Sequence, residues 1–367
     1  MKPLRKLLGR KTSSVLFGRA IVALFFSLII TFVQSVNADT FICSARDVDC
    51  LINSINQANA NDEEDTIKLK KGTYKLTEAA GSSTSGFPVG FPPITSAITI
   101  RGASATKTVI KRSRHADLFR IFSVASVPGS VLKLKRLTIS GGALDPGGGS
   151  AVNVGRGAKL VLADTVIRDN VSSCGAIAVG SGGTLVVRRS HIVHNKSDST
   201  GAGICADPAD VTIAKSTVSF NEAEFDAGGI YCDTCNLTVR DSAFIGNKAP
   251  GNEGGGILAF DFDTNRINIF NSIFYGNTAR QGGGIAVVGS PVSIRQSLFM
   301  QNSAGDLGGA IFVRDADTSA LKVSGSLIFQ NRSGDDGGGI FHEGRGTVDV
   351  VRSLIIGNTP NNCTGCP

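Results

Sequence analysis

The stretch at residues 282–311, GGGIAVVGSPVSIRQSLFMQNSAGDLGGAI, contains one full unit of an internal repeat, and this repeat decides the fold. Its asparagine, Asn302, recurs along the chain at intervals of 25 to 30 residues. A large apolar residue stands three positions before each such asparagine, a serine or threonine five positions before, and an apolar pair eight and ten positions before. The recurring asparagines are Asn170, Asn195, Asn221, Asn247, Asn277, Asn302, Asn331 and Asn358.

The spacing of the apolar residues predicts short β-strands. The apolar pair alternates with polar residues, which is the period-two pattern of a strand with one buried face. A unit of two or three such strands cannot bury its own core, so each strand must pair in parallel with its equivalent in the next unit, about 4.8 Å away. Asparagines at one turn then align, and their amides can form an Asn ladder along the axis. We therefore predict an all-β protein, a parallel β-helix of roughly a dozen coils.

The N-terminal residues 1–38 are typical of a secretory signal peptide. Six lysines and arginines without any acid precede the 14-residue apolar run 20–33, and Ala38 is a small residue at the expected cleavage site. The mature chain is then expected to begin near Asp39 and to be exported to the periplasm, the outer membrane, the cell surface or the medium. It would not be an integral membrane protein after cleavage. An uncleaved N-terminal anchor is the alternative, although the apolar run is shorter than the ~20 residues of a spanning helix.

We expect one β-helix domain over residues 39–367. An apolar stripe at Val48, Leu51, Ile52, Ile55 and Ala58 predicts a short amphipathic helix that caps the open end of the stack. The predicted organisation is an N-terminal cap at 39–62, irregular coils at 63–142 with a loop at 77–93, regular coils at 143–358 and a C-terminal tail at 359–367.

The net charge of +7 does not indicate a nucleic-acid-binding protein. Six of these charges lie in residues 1–38 and would leave with the signal peptide. Residues 101–136 nevertheless carry a local charge of +8, and stacked coils can gather such charges on one face. This patch predicts binding of an acidic polysaccharide, of lipopolysaccharide, or of a host or neighbouring-cell surface; solvated charges without a ligand are the alternative. The candidate polyanion-binding residues are Lys111, Arg112, Arg114, Lys133, Lys135 and Arg136.

All eight cysteines lie after residue 38, which fits an oxidising compartment. Local pairing predicts three disulfides, Cys43–Cys50, Cys232–Cys235 and Cys363–Cys366. Cys174 and Cys205 stand at different points of their units, so a direct bond between them is not expected. Zinc binding is the alternative role for the cysteines; we expect no cofactor and no metal.

The opening CSARDVDCLINSINQANANDEEDTIKLKKGTYKLT (43–77) resembles the N-terminal signature of bacterial secreted β-helix proteins with a CSLREA-type motif. The GGGI and GGAI units, with FIGN, FYGN and FMQN, resemble the repeats of polymorphic outer-membrane proteins. This sequence departs from the motif, because Arg46-Asp47 replaces the usual Arg-Glu-Ala. The resemblance implies a single-stranded right-handed parallel β-helix of the pectin-lyase-like type, outside the cytoplasm, sometimes adhesive, and without defined catalytic residues.

Three functions therefore remain open. The preferred one is a noncatalytic secreted or surface protein that binds glycan or another surface; the others are a polysaccharide lyase or hydrolase and a structural envelope component. Enzymes of this fold need clustered acids, but Asp207-Pro208-Ala209-Asp210 lacks the histidine of a related epimerase motif, and Phe341-His342-Glu343-Gly344 is a poor match to a hydrolase motif. Two loop pairs, Asp261/Asp263 and Asp315/Asp317, are the remaining acidic candidates. The sequence thus leaves catalytic residues unknown.

Overall fold

The computed structural model describes residues 38–61, 63–260, 266–314 and 320–366. The compact unit that these residues form begins at Asp39. The predicted signal peptide, apart from Ala38, and the loop acids Asp261, Asp263, Asp315 and Asp317 lie outside the described residues.

The chain winds into about 12 coils of a right-handed parallel β-solenoid, which confirms the predicted fold. Equivalent strands stack into four parallel sheets, which we number in the order in which a coil passes through them. Within the described ranges, sheet 1 contains Thr40–Cys43, Glu64–Leu69, Ala97–Arg101, Val131–Lys135, Lys159–Ala163, Gly183–Arg188, Ala209–Ala214, Asn236–Arg240, Ile267–Phe270, Val292–Arg295, Ala320–Ser324 and Thr347–Val351. Sheet 2 contains Gly72–Leu76, Thr108–Arg112, Thr138–Ser140, Val166–Arg168, His191–Val193, Thr217–Ser219, Ala243–Ile245, Ile273–Tyr275, Leu298–Met300, Leu327–Phe329 and Leu354–Ile356.

The other two sheets close each coil. Sheet 3 contains Ala143–Gly148, Val171–Cys174, Lys196–Thr200, Glu222–Ala223, Lys248–Glu253, Thr278–Gln281 and Ser303–Leu307. Sheet 4 contains Phe122–Val124, Val152–Val154, Ile177–Val179, Ile204–Ala206, Ile230–Asp233, Ile257–Phe260, Ile285–Val288, Ile311–Arg314, Ile340–Glu343 and Cys363–Thr364. A regular coil therefore has four strands rather than the two or three expected, because the residues after each asparagine and after each glycine turn also pair. In the predicted loop 77–93, Gly81–Ser82 and Pro88–Val89 form a short antiparallel pair.

The predicted capping helix is present as α1, Val48–Ala58. Its N-cap is Asp47, whose carboxylate accepts a hydrogen bond from the amide of Cys50 at 2.9 Å and so satisfies one of the free N–H groups of the first turn. The helix buries Leu51, Ile55 and Ala58 against the first coils, which closes one end of the core.

The core consists of columns of identical or similar side chains, because parallel strands in register place equivalent residues directly above one another. The rings of Phe244, Phe274 and Phe299 stack with centroids 4.8 Å and 4.6 Å apart. All three rings are fully buried. Burial of such columns is the main source of stability in a stack whose single coils have no core of their own.

The recurring asparagines form a continuous ladder at the corner between sheets 2 and 3. At Asn277, which is fully buried, Oδ1 accepts from the backbone N and the Nδ2 of Asn247 at 3.0 Å and 2.9 Å. Its Nδ2 donates to the carbonyl of Phe244 at 3.0 Å and to Oδ1 of Asn302 at 2.9 Å. The last member, Asn358, donates to Oδ1 of Asn362 in the tail instead. The ladder thus satisfies backbone groups that the turn would otherwise leave unpaired.

A second ladder of hydroxyl groups lies at the bend between sheets 1 and 2. At Ser272 the backbone N donates to Oγ of Ser297 at 3.2 Å, and Oγ donates to the carbonyl of Phe270 at 2.8 Å. The same pattern repeats along the column of small hydroxyl residues. This explains why a serine or threonine recurs five residues before each asparagine: the bend leaves one N–H per coil for a side-chain oxygen of the next coil.

The structure contains four disulfides, and three of them are the predicted pairs Cys43–Cys50, Cys232–Cys235 and Cys363–Cys366. The expectation about Cys174 and Cys205 was wrong, because these two residues form the fourth disulfide with Cα atoms 5.7 Å apart. They occupy different sheets, but Gly175 adopts a φ of +64° and turns the chain sharply after Cys174. A Cβ on Gly175 would lie 2.7 Å from the amide of Cys205, so the two positions face each other across the corner.

Candidate binding and catalytic surfaces

The outer face of sheet 2 carries a column of cations in its first coils. Lys75 pairs in register with Lys111, Lys111 with Ser140, and Ser140 with Arg168, so positions of this column recur about every 4.8 Å and a serine separates the third cation from the second. Together with Arg112 and Arg114 they line a groove of about 610 Å³ beside the turn that follows the sheet. We call this surface the basic groove.

The basic groove has an excess of positive charge. Its five cationic side chains, Lys75, Lys111, Arg112, Arg114 and Arg168, meet one acid among its lining residues, Asp169. That acid forms an ion pair with Arg168 at 2.6 Å. The remaining lining includes small residues such as Ser113, Gly141 and Ala143. The groove is therefore suited to a polymer whose negative charges recur along its length.

Two of the predicted polyanion-binding residues have local bonding partners. Arg112 donates from Nε to the carbonyl of Gly141 at 2.8 Å and from Nη1 to those of Ala116 and Asp117 at 2.6 Å and 3.1 Å. Burial lowers the pKa of its guanidinium. Arg112 thus holds the turn in place while keeping its charge in the groove, whereas Nε of Arg114 lies 3.0 Å from Nε2 of His115 at the surface.

The other three predicted residues lie elsewhere, so the basic segment is divided between two faces. Lys133 and Lys135 belong to a strand of sheet 1, and Arg136 occupies the bend with a φ of +56°. Lys133 forms an ion pair with Glu64, and Lys135 pairs in register with Arg101. The expectation of one shared face fails because the chain turns from sheet 1 to sheet 2 within the segment.

A second surface, outside sheet 4, gathers carboxylates around one phenol. Asp207, Asp226 and Asp233 lie close enough to Tyr231 to influence its ionisation. Asp226 also accepts from Nδ2 of Asn252 at 2.8 Å and from the amide of Glu253 at 3.2 Å. We call Tyr231 with Asp207, Asp226, Asp233 and Glu253 the carboxylate cluster. Sequence analysis considered Asp207 only as part of Asp207-Pro208-Ala209-Asp210 and did not predict that these five residues lie together.

The environment of the carboxylate cluster favours the uncharged forms of Tyr231, Asp207 and Glu253. Burial, with the charges of Asp233, Asp226 and Asp207, raises the pKa of Tyr231 to about 12. Burial and Asp233 raise the pKa of Asp207. Burial raises the pKa of Glu253 as well, although Arg314, 3.2 Å from its Oε1, acts in the opposite direction. Carboxyl groups shifted in this direction are suited to general acid chemistry.

Apolar side chains border the carboxylate cluster on the outside of the solenoid. Leu258, Ala286 and Phe312 are buried there in a small cluster separate from the main core, with Tyr231 packed against it. Phe312 stacks on Phe341 with ring centroids 5.9 Å apart. An apolar floor next to polar groups is typical of a ligand-binding surface.

The other catalytic candidates do not assemble into a site. Asp210 is exposed on sheet 1, where it accepts from Nδ2 of Asn236 at 3.0 Å, while Asp207 belongs to the turn from sheet 4. His342 lies buried in the last long strand of sheet 4. In the described part of the chain, no group of three or more His, Cys, Asp or Glu residues is placed to hold a metal ion, and no helix is long and apolar enough to cross a membrane.

Comparisons with known proteins agree with the fold. Residues 124–299 match a family model described as "Right handed beta helix region". No curated protein sequence matches the chain significantly. At the sequence identities of the similar solved structures, the likeness concerns the fold alone.

Three of these solved structures are an adhesin, an epimerase and a glucanase. The chain is similar to PfbA, a surface adhesin of Streptococcus pneumoniae, at 10% identity and TM-score 0.45, covering 87% of this chain and 90% of that chain. It is similar to the A-module of the mannuronan C-5 epimerase AlgE6 of Azotobacter vinelandii at 14% identity and TM-score 0.40, covering 86% of this chain and 93% of that chain. It is also similar to the catalytic unit of a GH87 α-1,3-glucanase from Streptomyces thermodiastaticus at 14% identity and TM-score 0.38, covering 87% of this chain and 67% of that chain.

Proposed function

We propose that this protein is an exported β-solenoid that binds an acidic polysaccharide noncatalytically in the basic groove. The observation that carries the proposal is the column of Lys75, Lys111 and Arg168, which places three cations within four successive coils beside one neighbouring acid. A polymer with regularly spaced carboxylates or sulfates can engage several of these cations at once, which gives avidity from individually weak contacts. The four disulfides support an oxidising, extracytoplasmic location, and the same charge would suit lipopolysaccharide or an anionic cell surface.

Neutralising the column is expected to remove binding. The variant K75Q/K111Q/R168Q should bind immobilised polygalacturonate roughly ten-fold or more weakly than the wild type, because each exposed cation contributes up to about 1 kcal/mol. Wild-type retention should also fall as sodium chloride rises, since exposed charges are screened. Arg112 is left intact because it holds the turn.

The matched control is K68Q/R101Q/K135Q, which removes the same charge from the outer face of sheet 1. It should leave polygalacturonate binding within about two-fold of the wild type. Equal losses in both variants would show that net charge, and not the basic groove, governs retention. Retention that no variant changes would leave the structural envelope component as the better account.

The carboxylate cluster supports a second candidate function, a polysaccharide lyase or hydrolase. The specific observation is that burial raises the pKa of Asp207, near the half-buried Tyr231, and the pKa of Glu253, near Asp226. Incubation with a panel of uronic-acid polymers and α-glucans should then release unsaturated or reducing ends, and Asp207→Asn should reduce the rate about a hundred-fold or more. Glu222→Gln, at an exposed acid, is the control. No release from any polymer of the panel removes this candidate.

A further inference from the structure

One position in the core of sheet 1 carries a carboxylate where the ten coils that follow it carry an aliphatic side chain. Asp65 pairs in register with Ile98 and begins a column on the inner face of the sheet. Below it, the equivalent residues are Ile98, Leu132, Leu160, Leu185, Val211, Leu237, Ile267, Val292, Leu321 and Val348. A carboxylate in an apolar column costs stability unless it has a partner, so Asp65 requires a specific reason.

The partner that the structure shows is the first residue of the compact unit. Asp65 is 0% exposed, and its Oδ1 accepts from the backbone N of Asp39 at 2.6 Å. Its other oxygen, Oδ2, is buried without a hydrogen-bond partner, and so is Oε2 of the nearby Glu63. No lysine or arginine among the described residues forms an ion pair with Asp65 or Glu63.

The chemistry of these three oxygens fits an ammonium group better than an amide. A backbone amide at Asp39 has one N–H and no charge, which satisfies one oxygen and leaves the buried negative charge uncompensated. An α-ammonium at the same nitrogen can make the same hydrogen bond to Asp65 Oδ1, and it adds two further N–H donors and a positive charge next to the unpartnered Asp65 Oδ2. Burial and the charges of Asp65 and Asp39 raise the pKa of Glu63, as expected where a counter-charge is absent.

We propose that the chain is cut between Ala38 and Asp39 and that the new α-ammonium of Asp39 is the counter-ion of the buried Asp65 and of its neighbour Glu63. An endopeptidase that cleaves after a small residue adds water across the peptide bond. The released segment ends in the carboxylate of Ala38, and the amine of Asp39 takes up a proton. Ala38 and Asp39 are both exposed, so the bond is accessible in the folded chain. This inference is independent of the proposed polysaccharide binding.

The ion pair would fasten the outermost strand of the cap. Thr40–Cys43 pairs on one side with Glu64–Leu69, and Cys43 carries the disulfide to Cys50 in α1. The N-terminus of a strand at the end of a sheet frays readily when nothing holds it. Cleavage thus both releases the N-terminal segment and completes the cap, and folding of the cap becomes coupled to processing.

The first experiment determines the N-terminus of the exported protein. The full chain, expressed in a bacterium with an active secretory pathway, should yield a mature protein that begins at Asp39, as measured by intact mass and N-terminal sequencing. A mature N-terminus at another residue, or an uncleaved product that is equally stable, overturns the proposal.

The second experiment tests the ion-paired α-ammonium of Asp39 with an amine-selective acylating reagent at pH 7. In the native mature protein, the α-amine should react at least ten-fold more slowly than in the urea-unfolded chain, since an ion pair that raises its pKa by one unit leaves ten-fold less free amine. Asp65→Asn should react at nearly the unfolded rate and melt at a lower temperature, whereas Glu78→Gln, which removes an exposed carboxylate, should behave as the wild type.

A third variant covers the case in which Asp65→Asn does not fold. Asp65→Leu restores the aliphatic column and should fold with an α-amine that reacts at nearly the unfolded rate. Protection of the α-amine in Asp65→Leu, or an equal rate in the native wild type and in the unfolded chain, contradicts the proposed ion pair.

Discussion

Replacement of Asn277 by alanine is expected to lower the free energy of unfolding by about 3–5 kcal/mol. The substitution removes four hydrogen bonds of one fully buried amide, to Asn247, Phe244 and Asn302. The amide groups of Asn247 lose their acceptor in a site that water does not reach, and each buried group left unpaired costs about 1–3 kcal/mol. Urea unfolding followed by far-ultraviolet circular dichroism measures the effect, with the midpoint as the primary readout.

The matched control is Asn268→Ala in the same coil. Asn268 is exposed on the outer face of sheet 1, so its loss should change the free energy of unfolding by less than about 0.5 kcal/mol. Equal effects of the two substitutions would mean that the asparagine column contributes no more than any surface amide. Asn277→Asp should not rescue the ladder, because a carboxylate cannot donate to Phe244 or Asn302.

Replacement of Gly229 by alanine is expected to have an effect of at least similar size, about 3–5 kcal/mol, or to prevent folding. A Cβ at this position would lie 2.2 Å from the carbonyl oxygen of Gly256 in the next coil. The clash is between the added Cβ, which is fixed to the backbone, and a backbone carbonyl oxygen. No side-chain rotation relieves it, so the two coils must separate locally. Yield of folded protein and resistance to protease at 25 °C provide the first measurement, and urea unfolding the second.

Gly180→Ala is the control for the Gly229 substitution. There the nearest atom to the added Cβ is the carbonyl oxygen of Val154 at 3.4 Å, which is ordinary contact. The variant should be as stable as the wild type or slightly more stable, because alanine restricts the unfolded chain. A wild-type yield from Gly229→Ala would show that the coils tolerate more separation than the structure indicates.

The sequence predicted the solenoid because its repeat maps directly onto three-dimensional neighbours. Parallel strands in register place residue n of one coil above residue n of the next, so a column in the sequence is a stack in space. Phe244, Phe274 and Phe299 therefore appear three residues before successive asparagines and also as stacked rings. A fold that is stabilised by contacts between equivalent positions of a repeat can therefore be predicted from a single sequence.

The candidate sites were less predictable because their residues belong to no column. Asp207, Asp233 and Glu253 come from different coils and lie at turns whose lengths vary, so sequence distance does not indicate how close they are. The bond between Cys174 and Cys205 was missed for the same reason, since a glycine corner brings together residues of different sheets.

Two further features, both in the early coils, were not predicted from the sequence. These coils contain no ladder asparagine, so the sequence could not assign Lys111 and Lys135 to different faces. A usable signal was nevertheless present at Asp65: in the strand 64–69 it alternates with Ile67 and Leu69 on the apolar face. An acid at an apolar phase of a strand points to a buried partner, and the register of Thr40 with Thr66 identifies Asp39 as the neighbour.

The hydrogen bond from Asn358 to Asn362 has a consequence for how the solenoid can grow. Each ladder asparagine donates from its backbone N and from one N–H of Nδ2 to the Oδ1 of the next asparagine, so the last one offers these two donors to any chain that docks there with a matching acceptor. Asn362 occupies that position from within the same chain, and Cys363–Thr364 adds a short strand beside Ile340–Phe341. A copy that approached end to end would meet this folded corner before it met a free sheet edge. Asn362 therefore caps the ladder: its Oδ1 takes the place that the Oδ1 of the next ladder asparagine has in the earlier coils, which disfavours the docking of a second copy at this corner.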